Sequence, residues 1–214
     1  MISVQSFTFN AFQENTYVLS NEKKEAIIID PGCYSSLEYQ TLKNYIIENE
    51  LTPLKLLNTH CHLDHVFGNR IVAADFGLEP YIHKNEAAVL EVASKSASMY
   101  GLQFDPYSGP LHFLEPGGTL HFGDASIAIL FCPGHSPGSL CFHCPAEGFV
   151  IGGDVLFYES IGRSDLPGGD GAQLLRSIKD QLFVLADDTT VYPGHGPATT
   201  IGHEKQNNPF CSFE

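Results

Sequence analysis

The sequence predicts a mixed α/β (α+β) fold, and three kinds of pattern support this prediction. Short apolar runs flanked by Gly, Pro, Asn or Asp recur along the chain and are typical of buried strands. Other segments begin at helix-capping residues, such as Ser35 with Glu38 three positions later. In addition, His or Asp residues lie in the turns that follow four of the apolar runs. The loops at the strand ends are therefore the predicted functional region.

In the first half of the chain, strands and helices are predicted to alternate. The capping residue Ser35 opens a helix that extends to about Glu50, because Leu42, Tyr45 and Ile46 share one face. Further helices are expected at residues 66–76 and 86–99. The predicted strands of this half lie within residues 2–20 and at residues 26–29, 54–58 and 81–83.

The second half is predicted to contain more strands than helices. Residues 100–115 are rich in Pro, Gly and aromatic residues and are expected to form a long loop. Two strands, at residues 119–122 and 126–131, are expected to form a hairpin across Gly123 and Asp124. Asp170 is expected to cap a helix that runs through Leu185. Short strands are also expected at residues 149–151 and 190–192.

Residues 59–65 read Thr-His-Cys-His-Leu-Asp-His and directly follow the predicted strand at residues 54–58. His60 and His62 alternate along an extended segment, so both rings can point to one side. Asp64 and His65 follow at once. Imidazole and carboxylate groups are ligands for Zn, Fe, Co or Mn, and this concentration of them at a strand end predicts a metal site. The alternative, a solvated polar loop, predicts no further ligand-type residues at other strand ends.

Three later strand ends carry the ligand-type residues that the alternative does not predict. His135 lies in the Pro/Gly-rich turn at residues 133–138, after an apolar strand at residues 127–132. Asp154 follows two glycines after the strand at residues 149–151, and His195 follows Pro193 and Gly194. Because glycines let the backbone turn sharply, these loops can converge on one edge of a sheet sandwich.

This set of residues resembles the metal-binding signature of the metallo-β-lactamase superfamily. The resemblance covers essentially the whole chain and implies one domain, residues 1–214, with a four-layer αββα sandwich. It also implies two divalent metal ions, most simply Zn²⁺, with Fe or Mn as alternatives. Asp64 and Asp154 are the carboxylates expected at the catalytic centre. The implied ligands are His60, His62 and His135 for one ion, Asp64, His65 and His195 for the other, and Asp154 as a bridge.

Further residues are expected to support the site. Asp30, in an Asp-Pro-Gly turn, is expected to hold metal ligands through hydrogen bonds, as in the superfamily, with a plain turn aspartate as the alternative. Arg163 and Asp165 are expected to form an ion pair at the rim, with a solvated surface pair as the alternative. Tyr158 and Arg163 are candidate substrate-binding residues. Cys61 is expected to pack beneath the site.

Residues 160–170 and 199–210 resemble the short glyoxalase-II-like hydrolases, which lack the helical C-terminal domain of full-length glyoxalase II. A Gly-Arg-x-Asp element such as that around Arg163 also occurs in persulfide dioxygenases. The chain has Gly196-Pro197 where full-length glyoxalase II has Glu-Tyr. The glutathione contacts of the full-length enzymes therefore cannot be transferred to this chain.

The resemblance implies hydrolysis of a thioester, such as S-D-lactoylglutathione. Metal binding lowers the pKa of a bound water to roughly 7, and the hydroxide would attack the carbonyl carbon. A thiolate is a good leaving group, so no strong protein acid is required. Other candidates are a lactonase-like hydrolase, a non-catalytic metal-binding protein, and a mononuclear iron persulfide dioxygenase that would use His60, His135 and Asp154. β-Lactamase activity is not expected, because the ligands differ from those of the known classes.

Charge and cysteine content restrict the partners and the compartment. The formal net charge of −14 opposes binding to nucleic acid, which depends on Lys and Arg at phosphates. The six cysteines show no disulfide-framework spacing, and no signal or long apolar segment is evident. We therefore expect a cytoplasmic protein, monomeric or a small homo-oligomer, that binds a small-molecule thioester and neither nucleic acid nor membrane.

Overall fold

The computed structural model describes residues 1–212, and the chain divides into two compact units. The amino-terminal unit is Met1–Leu114, and the carboxy-terminal unit begins at Glu115. Each unit contains a six-stranded sheet and helices. This arrangement confirms the predicted mixed α/β class.

The amino-terminal unit is built on a mixed sheet with the strand order β1-β2-β3-β4-β5-β6. The first three strands are antiparallel neighbours, whereas β3 to β6 run parallel. Its strands and α-helices are, in chain order, β1 (Ile2–Phe9), β2 (Glu14–Asn21), β3 (Glu25–Ile29), α1 (Ser36–Glu48), β4 (Thr52–Leu57), α2 (Leu63–Val66), α3 (Asn69–Phe76), β5 (Pro80–Ile82), α4 (Ala87–Glu91), α5 (Ala93–Met99) and β6 (His112–Phe113).

Helix α1 begins at the predicted capping box. The Ser35 hydroxyl accepts from the Glu38 amide, and the Glu38 carboxylate accepts from the Ser35 amide. The apolar face of α1, with Leu42 and Ile46, packs on one face of the sheet in a buried cluster. Each such side chain contributes about 1.5–3 kcal/mol when it is fully buried. The cluster also contains Val18, Ala26, Ile28 and Leu56 of the strands and Val72 of α3.

The helix predicted at residues 66–76 begins earlier and is interrupted. Helix α2 begins at Leu63, and α3 begins only at Asn69. The interruption lies at Gly68, whose amide donates to the carbonyl of Pro31 at 2.7 Å. A Cβ at this position would lie 2.4 Å from Cys33 Sγ, so the close approach requires glycine. Its cause lies in another part of the chain, and helical periodicity alone cannot reveal it.

The remaining predictions for this unit differ only in detail. The helix predicted at residues 86–99 is divided into a 3₁₀ turn at Lys84–Glu86 followed by α4 and α5, with a bend at Val92. The loop predicted at residues 100–115 contains the two-residue edge strand β6.

Parallel pairing brings three chain segments to one edge of this sheet. Ile29 of β3 lies opposite Leu57 of β4, and Leu57 lies opposite Tyr81 of β5. The ladder continues beyond the strands, because the Asp30 amide donates to the Leu57 carbonyl at 2.9 Å. The residues that follow β3, β4 and β5 therefore emerge side by side.

The carboxy-terminal unit contains a second mixed sheet with the order β14-β13-β10-β9-β8-β7, and a separate two-stranded sheet of β11 and β12. A π-helical turn, Ile178–Leu182, continues α6, so the helix predicted through Leu185 ends slightly early. The elements are β7 (Thr119–Phe122), β8 (Ala125–Phe131), β9 (Leu140–Cys144), β10 (Phe149–Gly153), β11 (Leu156–Phe157), β12 (Ser160–Ile161), α6 (Gly171–Ser177), β13 (Thr190–Pro193), β14 (Thr199–Thr200) and α7 (Ile201–Asn207).

The strand register of the second sheet places three loops at a common edge. Phe131 at the end of β8 pairs with Leu140 of β9, and Ile151 of β10 pairs with Phe142. Strands β10 and β13 are parallel, with Gly153 opposite Pro193. The loops that follow β8, β10 and β13 therefore begin at the same end of the sheet. A buried cluster holds the helices on this sheet, with Leu174, Ile178 and Ile201 packed with Cys141, Val150 and Val191.

All six cysteines lie in the described part of the chain, and all are buried free thiols, in keeping with the lack of a disulfide-framework spacing. The Cys-x-x-Cys pair, Cys141 and Cys144, lies in β9. Among residues 1–212, no helix combines the length and the apolar character needed to cross a lipid bilayer.

Candidate metal centre

The first donor set, defined as His60, His62, Asp64 and His65, follows β4 in the amino-terminal unit. His62 is extended, with φ −64° and ψ 153°, and directly precedes α2, so Asp64 and His65 lie in the first turn of that helix. The ring centroids of His60 and His62 are 4.8 Å apart, and those of His60 and His65 are 4.1 Å apart. Asp64 Oδ2 lies 3.8 Å from His65 Nε2. The structure thus brings these four predicted ligands together.

Asp30 lies behind this set, in a left-handed conformation with φ 49° that is uncommon for a residue with a side chain. The side chain is buried, and its Oδ1 accepts from the Thr59 amide at 2.7 Å. Its Oδ2 accepts from the Thr59 hydroxyl at 2.5 Å and lies 3.1 Å from His65 Nδ1. Because a carboxylate accepts, Nδ1 of His65 carries the proton and Nε2 carries the lone pair.

Thr59 extends this arrangement to His60. The Thr59 hydroxyl gives its proton to Asp30 and lies 3.1 Å from His60 Nδ1, so its oxygen accepts the Nδ1 proton of that ring. The same tautomer follows for His60, with the lone pair on Nε2. Asp30, His60 and His65 also bring ligand-type atoms within 4.8 Å of one another. One buried aspartate thus orients two imidazoles, directly and through a hydroxyl.

Two buried glutamates near the set were not predicted. Glu14, in β2, is fully buried, and its Oε1 lies 3.8 Å from His65 Nδ1. Burial raises the pKa of Glu14 well above its usual value, although the charge of His65 acts in the opposite direction. Glu86 is also fully buried, and its Oε2 accepts from the Cys61 amide at 2.7 Å. It therefore holds the backbone between His60 and His62.

The Cys61 side chain lies in the core, as expected. It is fully buried in a cluster with Val66, Ile82 and Leu90. Burial raises the pKa of this thiol well above its usual value, so the thiolate form that binds metals is disfavoured.

The second donor set, defined as His135, Asp154 and His195, lies at the common sheet edge of the carboxy-terminal unit. Asp154 Oδ2 is 3.4 Å from His135 Nε2 and 3.5 Å from His195 Nε2. His135 and Asp154 are buried, whereas the side chain of His195 is 25% exposed. A single carboxylate oxygen therefore faces the Nε2 atoms of two histidines.

Backbone groups orient the second set. His135 Nδ1 lies 2.7 Å from the carbonyl oxygen of Arg163, which can only accept, so Nε2 again carries the lone pair. A Cβ on Gly162 would lie 1.9 Å from the Asp154 carbonyl oxygen and 3.2 Å from His135 Nδ1. Only glycine allows the chain before Arg163 to pass this close to both ligands. The Gly-Arg sequence gave a hint of this role, but the prediction concerned the Arg163 side chain.

The side chains predicted at the rim are exposed. Arg163 and Asp165 form a bidentate ion pair, with Nε–Oδ1 and Nη2–Oδ2 distances of 2.8 Å. The Arg163 hydrogen bond lowers the pKa of Asp165 to about 2. Both side chains are more than half exposed, so the pair is solvated. Tyr158 is also exposed and stacks on His203, with ring centroids 5.0 Å apart.

Four histidines outside the two donor sets have other neighbours. His83 is buried, and its ring accepts from the Asn85 amide. His112 and His203 lie beside the carboxylates of Glu79 and Glu159. His143 is partly buried in β9, and burial lowers the pKa of its ring.

The donor chemistry of both sets fits divalent metal ions. The two sets contain five imidazoles and two carboxylates, and in three of the imidazoles an acceptor fixes the tautomer at Nδ1. A histidine that binds a metal through one nitrogen commonly donates its other ring N–H to a carboxylate, a carbonyl or a water. Imidazole and carboxylate donors accept Zn, Fe and Mn, so the donor types leave the identity of the metal open.

A family model described as "Metallo-beta-lactamase superfamily" matches residues 9–195 of the chain. The protein belongs to this superfamily. Curated members are similar over nearly the full length. "Probable metallo-hydrolase YqgX" of Bacillus subtilis is 39% identical, over 94% of this chain and 93% of its own. "Hydroxyacylglutathione hydrolase GloC" of Haemophilus influenzae is 36% identical, over 99% of each chain.

Solved structures agree with the assignment to the superfamily. BLEG-1, described as a B3 metallo-β-lactamase, is 36% identical and matches with a TM-score of 0.91 over 99% of this chain and all of its own. TTHA1623, solved in a di-iron-bound form, is 37% identical with a TM-score of 0.88, over 97% of this chain and all of its own. The predicted metallo-β-lactamase fold is therefore confirmed. It implies a hydrolase that uses divalent metal ions.

Proposed function

We propose that the protein hydrolyses thioesters with the help of two divalent metal ions, as a hydroxyacylglutathione hydrolase of the short type. The proposal is supported by the full-length similarity to GloC of Haemophilus influenzae, at 36% identity. Several curated relatives carry only general names such as probable metallo-hydrolase, so the thioester substrate is the part that needs a direct test.

The observation that carries the proposal is the orientation of three histidine rings by hydrogen bonds at Nδ1. In His60, His65 and His135, an oxygen acceptor holds Nδ1 and leaves the Nε2 lone pair for a metal ion. We assign His60, His62 and His135 to the first ion and Asp64, His65 and His195 to the second. Asp154, whose Oδ2 faces two histidines, is assigned as the bridge. Zinc is the default assignment, although the di-iron form of TTHA1623 keeps iron as an alternative.

When bound, such ions supply a water of low pKa and positive charge for the developing oxyanion. The residues of the chain contribute orientation. Asp30 and Thr59 hold the rings of His60 and His65, and the Arg163 carbonyl holds that of His135. The two carboxylates, Asp64 and Asp154, carry the negative charge of the ligand set. Because a thiolate leaves readily, the chain needs no strong acid to protonate the leaving group.

We further propose that Arg163 and Tyr158 contact the substrate. Both side chains are exposed, and both follow Asp154 in sequence. Glutathione thioesters carry carboxylates, and a guanidinium binds a carboxylate with two hydrogen bonds. The net charge of −14 makes a local cation important for an anionic substrate. The free thiols fit a reducing compartment such as the cytoplasm.

The first test is hydrolysis of S-D-lactoylglutathione by the full-length protein loaded with Zn²⁺, Fe²⁺ or Mn²⁺, followed as loss of thioester absorbance. We expect metal-dependent turnover that disappears in His60→Ala and persists in Cys61→Ser, whose side chain lies in the core. Absence of turnover with all three metals, in protein shown to bind them, would reject the glutathione thioester. Oxygen consumption with a persulfide would instead identify a dioxygenase.

Hydrolysis of a β-lactam is the second candidate, because BLEG-1 matches 99% of this chain. The thioester remains the favoured substrate on chemical grounds, since an amide nitrogen must be protonated to leave and a thiolate need not be. Parallel assays with a chromogenic cephalosporin and S-D-lactoylglutathione separate the two. The kcat/KM for the thioester is expected to exceed that for the cephalosporin by at least about a hundredfold, a difference of about 2.7 kcal/mol in activation free energy.

A further inference from the structure

We propose that Glu14 is a positioning residue that fixes the ring of His65 for metal binding. This role rests on the assignment of His65 as a ligand under the proposed function. The sequence patterns do not mark Glu14. The inference depends on where its two carboxyl oxygens lie.

One oxygen faces the histidine. Glu14 is fully buried, and its Oε1 lies 3.8 Å from His65 Nδ1, the nitrogen that also lies 3.1 Å from Asp30 Oδ2. Within residues 1–212, Oε1 has no hydrogen-bond partner. A buried carboxyl oxygen without a partner is costly, so its retention beside an imidazole calls for a functional explanation. Glu14 and Asp30 together place two acceptor groups around Nδ1.

The other oxygen is held by the turn that carries Asp30. Glu14 Oε2 accepts from the Thr16 hydroxyl at 2.9 Å, and that hydroxyl accepts from the Gly32 amide at 2.9 Å. A Cβ on Gly32 would lie 2.0 Å from Glu14 Oε2 and 2.5 Å from the Asp64 carbonyl oxygen. Strand β2, the turn at residues 30–32 and the start of α2 are therefore packed against one another around this carboxyl group.

The arrangement requires a carboxyl group in particular. In the carboxylate form, one oxygen receives the Thr16 proton while the other presents lone pairs towards the Nδ1–H side of His65. An amide of the same shape must place its NH₂ group at one of the two positions. In one orientation the NH₂ group faces the Nδ1–H of His65, so that two donors meet. In the other it faces the Thr16 hydroxyl, which then loses its acceptor. Glu14→Gln should therefore disturb His65 while leaving the packing volume unchanged.

The test compares native protein, Glu14→Gln and Glu38→Gln by chelator competition for Zn²⁺. Glu38 is the matched control, because its carboxylate binds the nearby amides of Asn10, Tyr34 and Ser35 but does not contact His65. We expect Glu14→Gln to weaken the second Zn²⁺, the ion assigned to His65, about 10- to 100-fold, the usual cost of losing a group that orients a ligand. The first Zn²⁺ and both ions in Glu38→Gln should keep their affinities within about twofold.

The imidazole ¹H–¹⁵N spectrum of the metal-free proteins provides a readout that does not depend on metal. Native protein and Glu38→Gln should show His65 in one tautomer, protonated at Nδ1, whereas Glu14→Gln should show a mixture. Unchanged second-ion affinity and an unchanged spectrum in Glu14→Gln would overturn the proposal, as would equal losses in Glu38→Gln. If Glu14→Gln does not fold, Thr16→Val removes the anchor of Oε2 and is judged by the same criteria. Native protein that binds fewer than two Zn²⁺ would reject the dinuclear assignment, while the spectrum would still test Glu14.

Discussion

The two donor sets are held by different means. In the amino-terminal unit, side chains orient the ligands: Asp30 contacts Thr59 and His65, and Glu86 holds the amide between His60 and His62. In the carboxy-terminal unit, backbone groups orient the ligands. A carbonyl oxygen holds the ring of His135, and a glycine passes against Asp154.

This difference predicts different sensitivities to substitution. The first set should respond to changes in buried polar side chains, because these supply its hydrogen bonds. The second set should tolerate changes of neighbouring side chains. It should not tolerate substitution of Gly162, because a side chain there would displace the backbone that contacts His135 and Asp154.

The largest effect is expected from Asp154→Ala, which removes the carboxylate that faces both His135 and His195. Metal content and activity should fall together, by far more than the 10- to 100-fold that changes behind the ligands usually cost. Metal analysis of purified protein together with thioester turnover measures both. The control, Asp165→Ala, removes an exposed carboxylate of the same unit and should retain its metal. Full metal occupancy in Asp154→Ala would disprove the bridging role.

The next largest effect is expected from Asp30→Asn, in which an amide NH₂ replaces an oxygen that accepts from Thr59 or His65. Because Asp30 orients two ligands, metal affinity or activity should fall by about 10- to 100-fold. Chelator competition measures the affinity. Asp105→Asn, at an exposed carboxylate paired with Arg70, is the control and should match native protein. Equal behaviour of the two variants would show that Asp30 is a plain turn residue.

Gly162→Ala tests the importance of the backbone in the second set. A Cβ would lie 1.9 Å from the Asp154 carbonyl oxygen, so the chain must shift and weaken the hydrogen bond of His135. Overpacking of this kind costs about 1–3 kcal/mol in the free energy of unfolding. Gly152→Ala, in the adjoining strand, meets Val191 only at 3.4 Å and should be much milder. Denaturant unfolding and metal analysis are measured for both variants. Equal losses would show that the backbone at Gly162 is no more important for the second set than that at Gly152.

Much of the fold and of the site was predictable because the signals are local. The ligand-type residues His60, His135 and Asp154 each lie within a few positions of a strand end, so the strand pattern predicts them. The Ser35–Glu38 capping box likewise marks the start of a helix. Glu14 and Glu86 escaped prediction because their importance depends on strand register, which brings them beside residues that are distant in the chain. The available hint was the run of three polar residues, Glu14-Asn15-Thr16, within a predicted strand, and the structure buries all three.

The role of Arg163 could not be derived from its residue type. Sequence reasoning concentrates on the guanidinium, which the structure places in solvent beside Asp165, whereas the contact with His135 uses the carbonyl oxygen. Any residue has a carbonyl oxygen, so no composition pattern marks this function. The break at Gly68 has the same cause, since a carbonyl group of Pro31 determines it.

Arg163→Ala separates the two roles of this residue. The ion pair is exposed and screened by solvent, so its loss should change the free energy of unfolding little, and the backbone contact with His135 remains. Metal content should therefore be unchanged. If the guanidinium binds substrate carboxylate, KM for S-D-lactoylglutathione should rise with little change in kcat. Lys179→Ala, at a basic residue of the π-helical turn, is the charge-matched control. A loss of metal from Arg163→Ala would show that the side chain also supports His135.

The smallest effect is expected at His143, which is partly buried in β9 and belongs to neither donor set. Burial lowers the pKa of its ring, so the unfolded chain takes up a proton at higher pH than the folded protein does. The stability that His143 provides is complete above the unfolded pKa near 6.5 and is lost as the pH falls below it. His143→Gln should therefore reduce the loss of unfolding free energy on acidification from about pH 7. Activity and metal content at neutral pH should match native protein, because none of the contacts described for His143 involves a donor-set residue. A large loss of activity at neutral pH would show that the second donor set extends into β9.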